Sequence, residues 1–507
     1  MSGKTDADQG EASPPGETQT PPAPAHLART GVRGVAWQGL AFAVGKVVVL
    51  LTTVVLTRLL APEQFGLVAL ALVMTTYAQG LADAGVAQAL VYLPRSAATD
   101  RAALFCSTVL GALLALLGVL VAPALADFFH QPDLVPLVRL LALSLLTGAI
   151  GAVPEALLRR SMRFRRLTAA TVVRSLTTGV VSIGLAFAGF GAWALAWGVV
   201  AGSVIYSAST WALLQERPDC RIWRISGREL RRLLAYGIPA ASSSLLAGVV
   251  MDVDYLIIGQ RLGAEALGYY TLAFRIPELL IMNVFYVISS VTFPLYSSAR
   301  ADQEGLRRTY ALSVRMQSLY GLCAGIGIAV VAPLIVPIVF GEAWQGAIAP
   351  LIALSLYAAC RSLGVGSNDV YKALGRPGVS VKISLLRLAI LVPVLIVATR
   401  WGITGVAWAQ AATSLLFVLL MQAVACRLLK MRGTVLLAAV SPALMTGAAV
   451  AITGGLLAQV PITPPAALTV AVVGGLVAAA TVLHLGYRGL LNDIISLVRR
   501  PPSEAPA

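Results

Sequence analysis

The chain has 507 residues, of which 58% are hydrophobic and 12% charged, with a mean hydropathy of +0.82. A soluble domain carries about 25% charged residues, so this composition excludes an ordinary water-soluble fold. The formal net charge of +15 would suit nucleic acid. However, the basic residues sit in short connections between apolar runs and form no face of a soluble domain, which argues against that partner.

Residues 1–30 carry Asp6, Asp8, Glu11, Glu17 and prolines from Pro14 to Pro24. They read as a disordered cytoplasmic tail and not as a signal peptide, because no apolar stretch follows a basic start. A spanning helix needs about twenty mostly apolar residues. Such stretches fall near 35–57, 65–90, 103–126, 134–157, 168–189, 192–214, 233–258, 266–292 and 311–338. Others follow near 346–367, 379–399, 402–426, 434–457 and 466–486, and 488–507 reads as a second cytoplasmic tail. The expected fold is an all-α membrane protein of about fourteen transmembrane helices. Gly and Pro mark its short connections, as in Ala61-Pro62-Glu63, Gly189-Phe190-Gly191 and Pro461 to Pro465. Cys106, Cys220, Cys323, Cys360 and Cys426 have no metal or redox spacing and read as small apolar residues. No metal or cofactor is expected.

Basic residues should mark the cytoplasmic connections, and they alternate along the chain. The connection 158–167 holds Arg159, Arg160, Arg163, Arg165 and Arg166; that at 215–232 holds Arg217, Arg221, Arg224, Arg228, Arg231 and Arg232. The same side collects Arg95 and Arg101; Arg300, Arg307 and Arg308; Lys372 and Arg376; and Arg427, Lys430 and Arg432. The opposite connections carry Arg58, Arg261 and Arg400. This alternation places both termini in the cytoplasm and explains the net charge.

An internal repeat is also legible. Arg58-Leu59, Ala61, Glu63, Gly66 and Leu70-Ala71 parallel Arg261-Leu262, Ala264-Glu265, Gly268 and Leu272-Ala273. Gly191 with Ala196-Trp197 parallels Gly402 with Ala407-Trp408, and Arg174 parallels Arg387. An even number of spans per repeat keeps the orientation, so the chain divides into two parallel six-helix repeats that form facing bundles, 31–215 and 230–430. Two additional transmembrane helices occupy 434–487. Transporters of this build hold substrate where the bundles meet.

An ionisable residue at the bilayer centre is costly and usually faces a cavity or a partner. The basic candidates are Lys46, Arg174, Arg275, Arg315, Arg361 and Arg387; the acidic ones are Asp83, Asp252, Asp254, Glu278 and Asp369. Arg315, Arg361 and Asp369 lie near span ends, where snorkelling explains them equally well. Arg275 and Glu278 are three apart around Pro277, which fits either a local ion pair or an arginine facing the cavity with Glu278 fixing it. Asp252 and Asp254 point to different helix sides. A buried carboxylate can take up and release a proton during transport, so Asp254 is a coupling candidate, with Glu278 and Asp83 as further coupling or charge-pairing groups. Lys46, Arg174, Arg275 and Arg387 would line a substrate cavity, where arginine suits phosphate because its planar fork binds two oxygens. A cavity for cationic drugs would show acids without this basic set. A glycosyltransferase or polymerase would need an acidic loop outside the membrane; the outer connections carry isolated acids such as Glu63, Asp127, Asp133 and Glu342, so no catalytic residue is expected.

Thr57-Arg58-Leu59-Leu60-Ala61-Pro62-Glu63-Gln64-Phe65-Gly66 resembles the first outer loop of bacterial polysaccharide flippases. Asp254 through Gly263, followed by Leu267-Gly268-Tyr269-Tyr270, Leu272-Ala273 and Phe293-Pro294, is similar to the pattern of their seventh and eighth spans. Gly189 through Leu195 resembles the connection between spans five and six. Across about residues 30–430, the chain therefore resembles the polysaccharide-transporter branch of the multidrug/oligosaccharidyl-lipid/polysaccharide exporter superfamily. The resemblance implies translocation of undecaprenyl-pyrophosphate-linked oligosaccharide repeat units to the outer leaflet of the bacterial cytoplasmic membrane by alternating access. It also implies a place beside a polysaccharide polymerase and glycosyltransferases. A lipid II flippase or a multidrug exporter of the same superfamily are the alternative readings.

Overall fold

The computed structural model describes residues 45–83, 85–92, 96–215, 218, 226–298 and 302–487. The expectations for both tails, the start of the first span, Arg95, Arg217, Arg221, Arg224 and Arg300 lie outside these residues. Every regular element within them is helical. In lipid the backbone has no water to bond, so an apolar run satisfies its own amides by coiling.

The first half contains α1 (45–59), α2 (Pro62–Asp83), α3 (Val86–Tyr92), α4 (Ala97–Phe129), α5 (Leu134–Arg160), α6 (Phe164–Phe187) and α7 (Ala192–Leu213). The second contains α8 (Gly227–Pro277), α9 (Asn283–Ser298), α10 (Gln303–Ile335), α11 (Ile348–Ser362), α12 (Val365–Ala373), α13 (Pro377–Ala398) and α14 (Gly402–Leu429). α15 (Gly433–Leu457) and α16 (Pro464–Gly486) follow and pack on α10. Ten helical stretches among the described residues are long and apolar enough to cross a membrane; one of them, Gly378–Leu429, contains both α13 and α14. The ten include neither α1 nor α8, so the expected count of about fourteen goes beyond them. α8 bends at Gly263, whose φ of 87° suits a residue without a side chain. The bend gives two arms, 227–262 and 264–277, where the sequence suggests two spans. The expected basic connection 158–167 is shorter than read: α5 runs to Arg160 and α6 starts at Phe164, leaving a turn at 161–163. Long arginine side chains reach headgroups from helix ends, so the helices continue past the apolar core.

The first arm of α8 packs antiparallel along α2. Gly259 meets Leu70, Asp252 meets Tyr77, and Gly237 meets Gly85. The seam comes to backbone contact at both ends, at the arginine-rich end where a Cβ at Gly85 would lie 2.1 Å from the Gly237 carbonyl oxygen, and at the Arg58 end. A Cβ at Gly66 would lie 1.7 Å from the Ala264 carbonyl oxygen, and one at Gly268 would lie 1.9 Å from that of Pro62. Gly66 and Gly268 are matching positions of the repeat, and each meets the carbonyl four residues before the other. The contact is thus self-complementary about a local two-fold, as in a symmetric dimer interface.

The buried apolar residues show how the halves are joined. One cluster runs through both, linking Leu70, Leu141 and Val200 to Ile258, Trp344 and Val406. Toward the arginine-rich face the core divides. One cluster holds Leu90, Val153 and Leu157 with Leu233 of α8; another holds Tyr310, Tyr371 and Leu429. The halves therefore share one core at the Arg58 face; at the arginine-rich face the core splits into two clusters, one of which still joins the first half to α8 through Leu233.

A polar latch reinforces the closed face. Arg58 Nε donates to the Val339 carbonyl at 3.1 Å, and its Nη2 to that of Ile338, meeting carbonyls that a helix end leaves unpaired. Trp344 is fully buried, and its indole donates to the Thr57 carbonyl at 2.8 Å. Its ring meets Phe65 and Tyr269 edge-on at 5.1 and 6.1 Å. Trp344→Phe keeps the ring contacts and removes the donor, so it should cost about 1 kcal/mol of stability, read as a lowered Tm in detergent. An unchanged Tm would show that this hydrogen bond contributes nothing net.

Candidate substrate site

Pro277 ends the second arm of α8, because its ring removes a backbone donor. The chain then passes through a π-turn, Glu278–Met282, into α9. Such turns are frequent at functional sites. Arg275 and Glu278 sit on one helical face around Pro277, with Nη1 and Oε2 3.2 Å apart. The local ion pair suggested by the spacing is therefore present, half-buried at the seam. α1 adds Lys46, on which the Glu278 and Arg275 charges act. From α2, Tyr77 donates to Asp252 at 3.1 Å, and Asp252 lies within reach of the Glu278 charge.

Beside Arg275 lies a cavity of about 340 Å³ between α1, α2, α6, α7 and the second arm of α8. Arg174 lines it together with Arg275, while Thr52, Thr178, Ser182 and Thr271 supply hydroxyls. The Arg174 guanidinium also lies over the Tyr206 ring, 5.4 Å from its centroid, which favours the cation. Lys46, Arg174 and Arg275 stand here with the acids Glu278 and Asp252, and Glu155 bonds the Tyr206 that Arg174 covers; the cavity wall itself carries Arg174 and Arg275 and none of these acids. It can therefore bind an anion through several donors at once.

Of the four basic residues expected to line one cavity, Arg174 and Arg275 share this one, and Lys46 lies within reach of the Arg275 charge. The fourth, Arg387, does not share it. It lines a separate cavity inside the second half, because it is the repeat counterpart of Arg174 and occupies the matching place in the other bundle. The acids divide in the same way. Asp254 follows Asp252 by about 200° around the helix, and this turns it away from the seam. It is 1% exposed and accepts from Tyr270 Oη at 2.7 Å, Gln410 Nε2 at 2.9 Å and its neighbour's amide at 3.0 Å. One carboxylate thereby ties both arms of α8 to α14. The side chain of Asp83 lies outside the described residues.

Tyr77, Tyr270, Tyr357 and Gln410, none of them among the charged candidates, complete these networks. Their only signal in the sequence is a hydroxyl or amide inside an apolar run. Arg361 and Asp369, read equally well as snorkelling residues, line the second cavity.

The family described as polysaccharide biosynthesis protein matches residues 55–349 of this chain, more than half its length. The lipopolysaccharide biosynthesis protein WzxC of Escherichia coli (strain K12) is 25% identical over 384 residues, covering 74% of this chain and 76% of WzxC. The teichuronic acid biosynthesis protein TuaB of Bacillus subtilis (strain 168) is 27% identical over 310 residues, covering 60% of this chain and 62% of TuaB. Among solved structures, the lipid II flippase MurJ in an inward closed conformation matches with a TM-score of 0.72 at 13% identity, covering 90% of this chain and 99% of that one. At that identity the likeness is one of fold.

Proposed function

The chain belongs to the polysaccharide biosynthesis protein family, and we propose that it is a flippase for oligosaccharide repeat units linked to undecaprenyl pyrophosphate. The observation that supports this reading is the pair Arg174 and Arg275 on the wall of one cavity where the first half meets α8, with Lys46 near enough for the Arg275 and Glu278 charges to act on it. Cations at this depth are costly unless they meet an anion. Two guanidinium forks match the closely spaced oxygens of a pyrophosphate. The arginine-rich face is cytoplasmic by the positive-inside rule, with both termini on that side.

In the arrangement described, the Arg58 face is closed, so substrate enters from the cytoplasmic leaflet. Its pyrophosphate binds at Arg174 and Arg275, its glycan occupies the space between the bundles 31–215 and 230–430, and its polyprenyl tail stays in lipid. Rocking of the bundles then passes it to the outer leaflet. Glu278 holds Arg275 in place, and Asp254 is the group through which an ion gradient acts. The chain carries substrate and performs no bond chemistry, receiving it from glycosyltransferases and delivering it to a polymerase.

Purified protein in vesicles should expose a lipid-linked oligosaccharide to an enzyme added outside. Arg275→Gln should slow this at least about ten-fold, the loss expected for a charged hydrogen-bonding group. Arg275→Lys should fall between, since it keeps a point charge without the fork. An Arg275→Gln protein that flips at the wild-type rate removes the site assignment. Transport of lipid II instead would favour the peptidoglycan reading, and transport of cationic drugs would favour an exporter.

A further inference from the structure

Arg174 is the exposed member of the pair on the first cavity's wall, so packing does not fix its rotamer. An arginine that swings freely loses that freedom when it binds, and the loss weakens binding. The surrounding helices supply what packing does not. α7 packs on both α5 and α6, and a glycine brings it close to each. A Cβ at Gly151 of α5 would lie 3.1 Å from Ser207 Oγ, and one at Gly202 of α7 would lie 2.1 Å from Thr178 Oγ1 and 3.3 Å from the Arg174 carbonyl oxygen. One turn beyond Gly202, Tyr206 places its ring under the Arg174 guanidinium, 5.4 Å from the centroid. One turn beyond Gly151, Glu155 accepts from the Tyr206 phenol. The same carboxylate pairs with Arg159 at 2.6 Å. Arg159, Glu155, Tyr206 and Arg174 thus form one chain of contacts, from the end of α5 at the arginine-rich face to the cavity.

We propose that Tyr206 and Glu155 are positioning residues for the substrate: the Tyr206 ring holds the Arg174 guanidinium at the cavity wall, and Glu155, locked by Arg159, fixes the ring. The proposal rests on the flippase reading and adds two residues to its anion site. Three features support it. First, a ring attracts a cation through its face and takes none of its N–H donors, so the guanidinium fork is left for phosphate oxygens. Arg387, the repeat counterpart of Arg174, is held differently, since it bonds the Tyr357 phenol and spends a donor there. The two tyrosines come from α7 and α11, which are not repeat counterparts, so the ring contact belongs to the first half and not to the repeat. Second, a ring leaves the arginine's charge in place. A carboxylate on the guanidinium, as Glu278 is on Arg275, competes with a bound anion for it. Here the carboxylate stands one side chain further back and already pairs with Arg159. Third, neither Tyr206 nor Glu155 is among the residues that line the cavity, so they act on the substrate through Arg174.

The test uses the full chain in lipid nanodiscs. Phenylglyoxal adds to guanidinium groups, and its reaction with Arg174 is followed by mass spectrometry of the peptide that carries it. Arg174 should react at least about three-fold faster in Tyr206→Leu and in Glu155→Ala than in the parent, the effect of losing one contact between a cation and a ring. Glu155→Gln should stay near the parent rate, because its side-chain carbonyl still accepts from the phenol. Inorganic pyrophosphate is the second probe, its affinity read as protection of Arg275 from the same reagent. Tyr206→Leu should weaken it at least about three-fold in the parent and not at all in Arg174→Gln, where a residue acting through Arg174 has nothing to act on. A purely structural role would weaken both backgrounds alike. Should Tyr206→Leu fail to accumulate, Glu155→Ala, which leaves the ring in place, serves in both measurements. An unchanged Arg174 rate in these variants overturns the proposal, and so does an equal loss of pyrophosphate affinity in the two backgrounds. Failure of the flippase reading looks different: pyrophosphate protects neither arginine in the parent, while Arg174 labelling still responds to Tyr206 and Glu155.

Discussion

Replacing Gly66 or Gly268 by alanine should abolish export while leaving the protein in the membrane. A methyl at either position would overlap a backbone carbonyl, at 1.7 Å for Gly66 and 1.9 Å for Gly268, and backbone cannot move aside as a flexible side chain does. The seam must open to relieve the clash. Overpacking of this kind costs about 1–3 kcal/mol, which shifts a two-state equilibrium by about 5–150-fold. The form closed at the Arg58 face would then be depopulated. Since the two glycines face each other's helices in one contact, the double substitution should be little worse than either single one; distant, independent sites would add instead. Single cysteines near Trp344 should become reactive to an impermeant thiol reagent in Gly66→Ala and stay protected in the parent. Normal export with protected cysteines would mean that the seam tolerates the methyl and is not a gate.

The second large effect is expected at Asp254. Asp254→Leu leaves Tyr270 Oη and the Gln410 amide without their acceptor in a site that water does not reach. Each orphaned group costs about 1–3 kcal/mol, enough to lower Tm sharply or prevent accumulation. Asp254→Asn is gentler. Tyr270 and Gln410 both donate to Oδ2, so an asparagine carbonyl in that place still accepts from both, and the substitution gives up the bond from the Tyr255 amide to Oδ1. This variant separates architecture from charge. A stable Asp254→Asn protein that no longer exports would assign the carboxylate to coupling. A stable one that exports normally would assign it to tying α8 to α14, and the coupling role would be lost.

The site was only partly legible in the sequence. Arg275 and Glu278 announced themselves by spacing around Pro277, and their ion pair follows from helix geometry alone. Arg174 and Arg387 were legible as repeat counterparts, yet their roles as members of one cavity were not. Repeat symmetry puts counterparts in equivalent places of different bundles, and only the packing shows that Arg174 joins Arg275 while Arg387 joins Arg361. Asp252 and Asp254 gave a similar choice. Helix periodicity shows that they diverge, but which of them meets the seam depends on whether α2 or α14 covers each face.

By itself the sequence determined the medium and the elements, because apolar length and the need to satisfy backbone bonds in lipid allow few alternatives. It also determined the repeat, including the glycines that later prove to touch, and the alternation of basic connections that expresses an orientation. The tertiary structure decided what lies against what. It shows one core shared at the Arg58 face and split into two clusters at the arginine-rich face, and two cavities where a list of charges suggests one. Those features depend on contacts between residues far apart in the chain. Periodicity and composition are local, and they carry no information about such contacts.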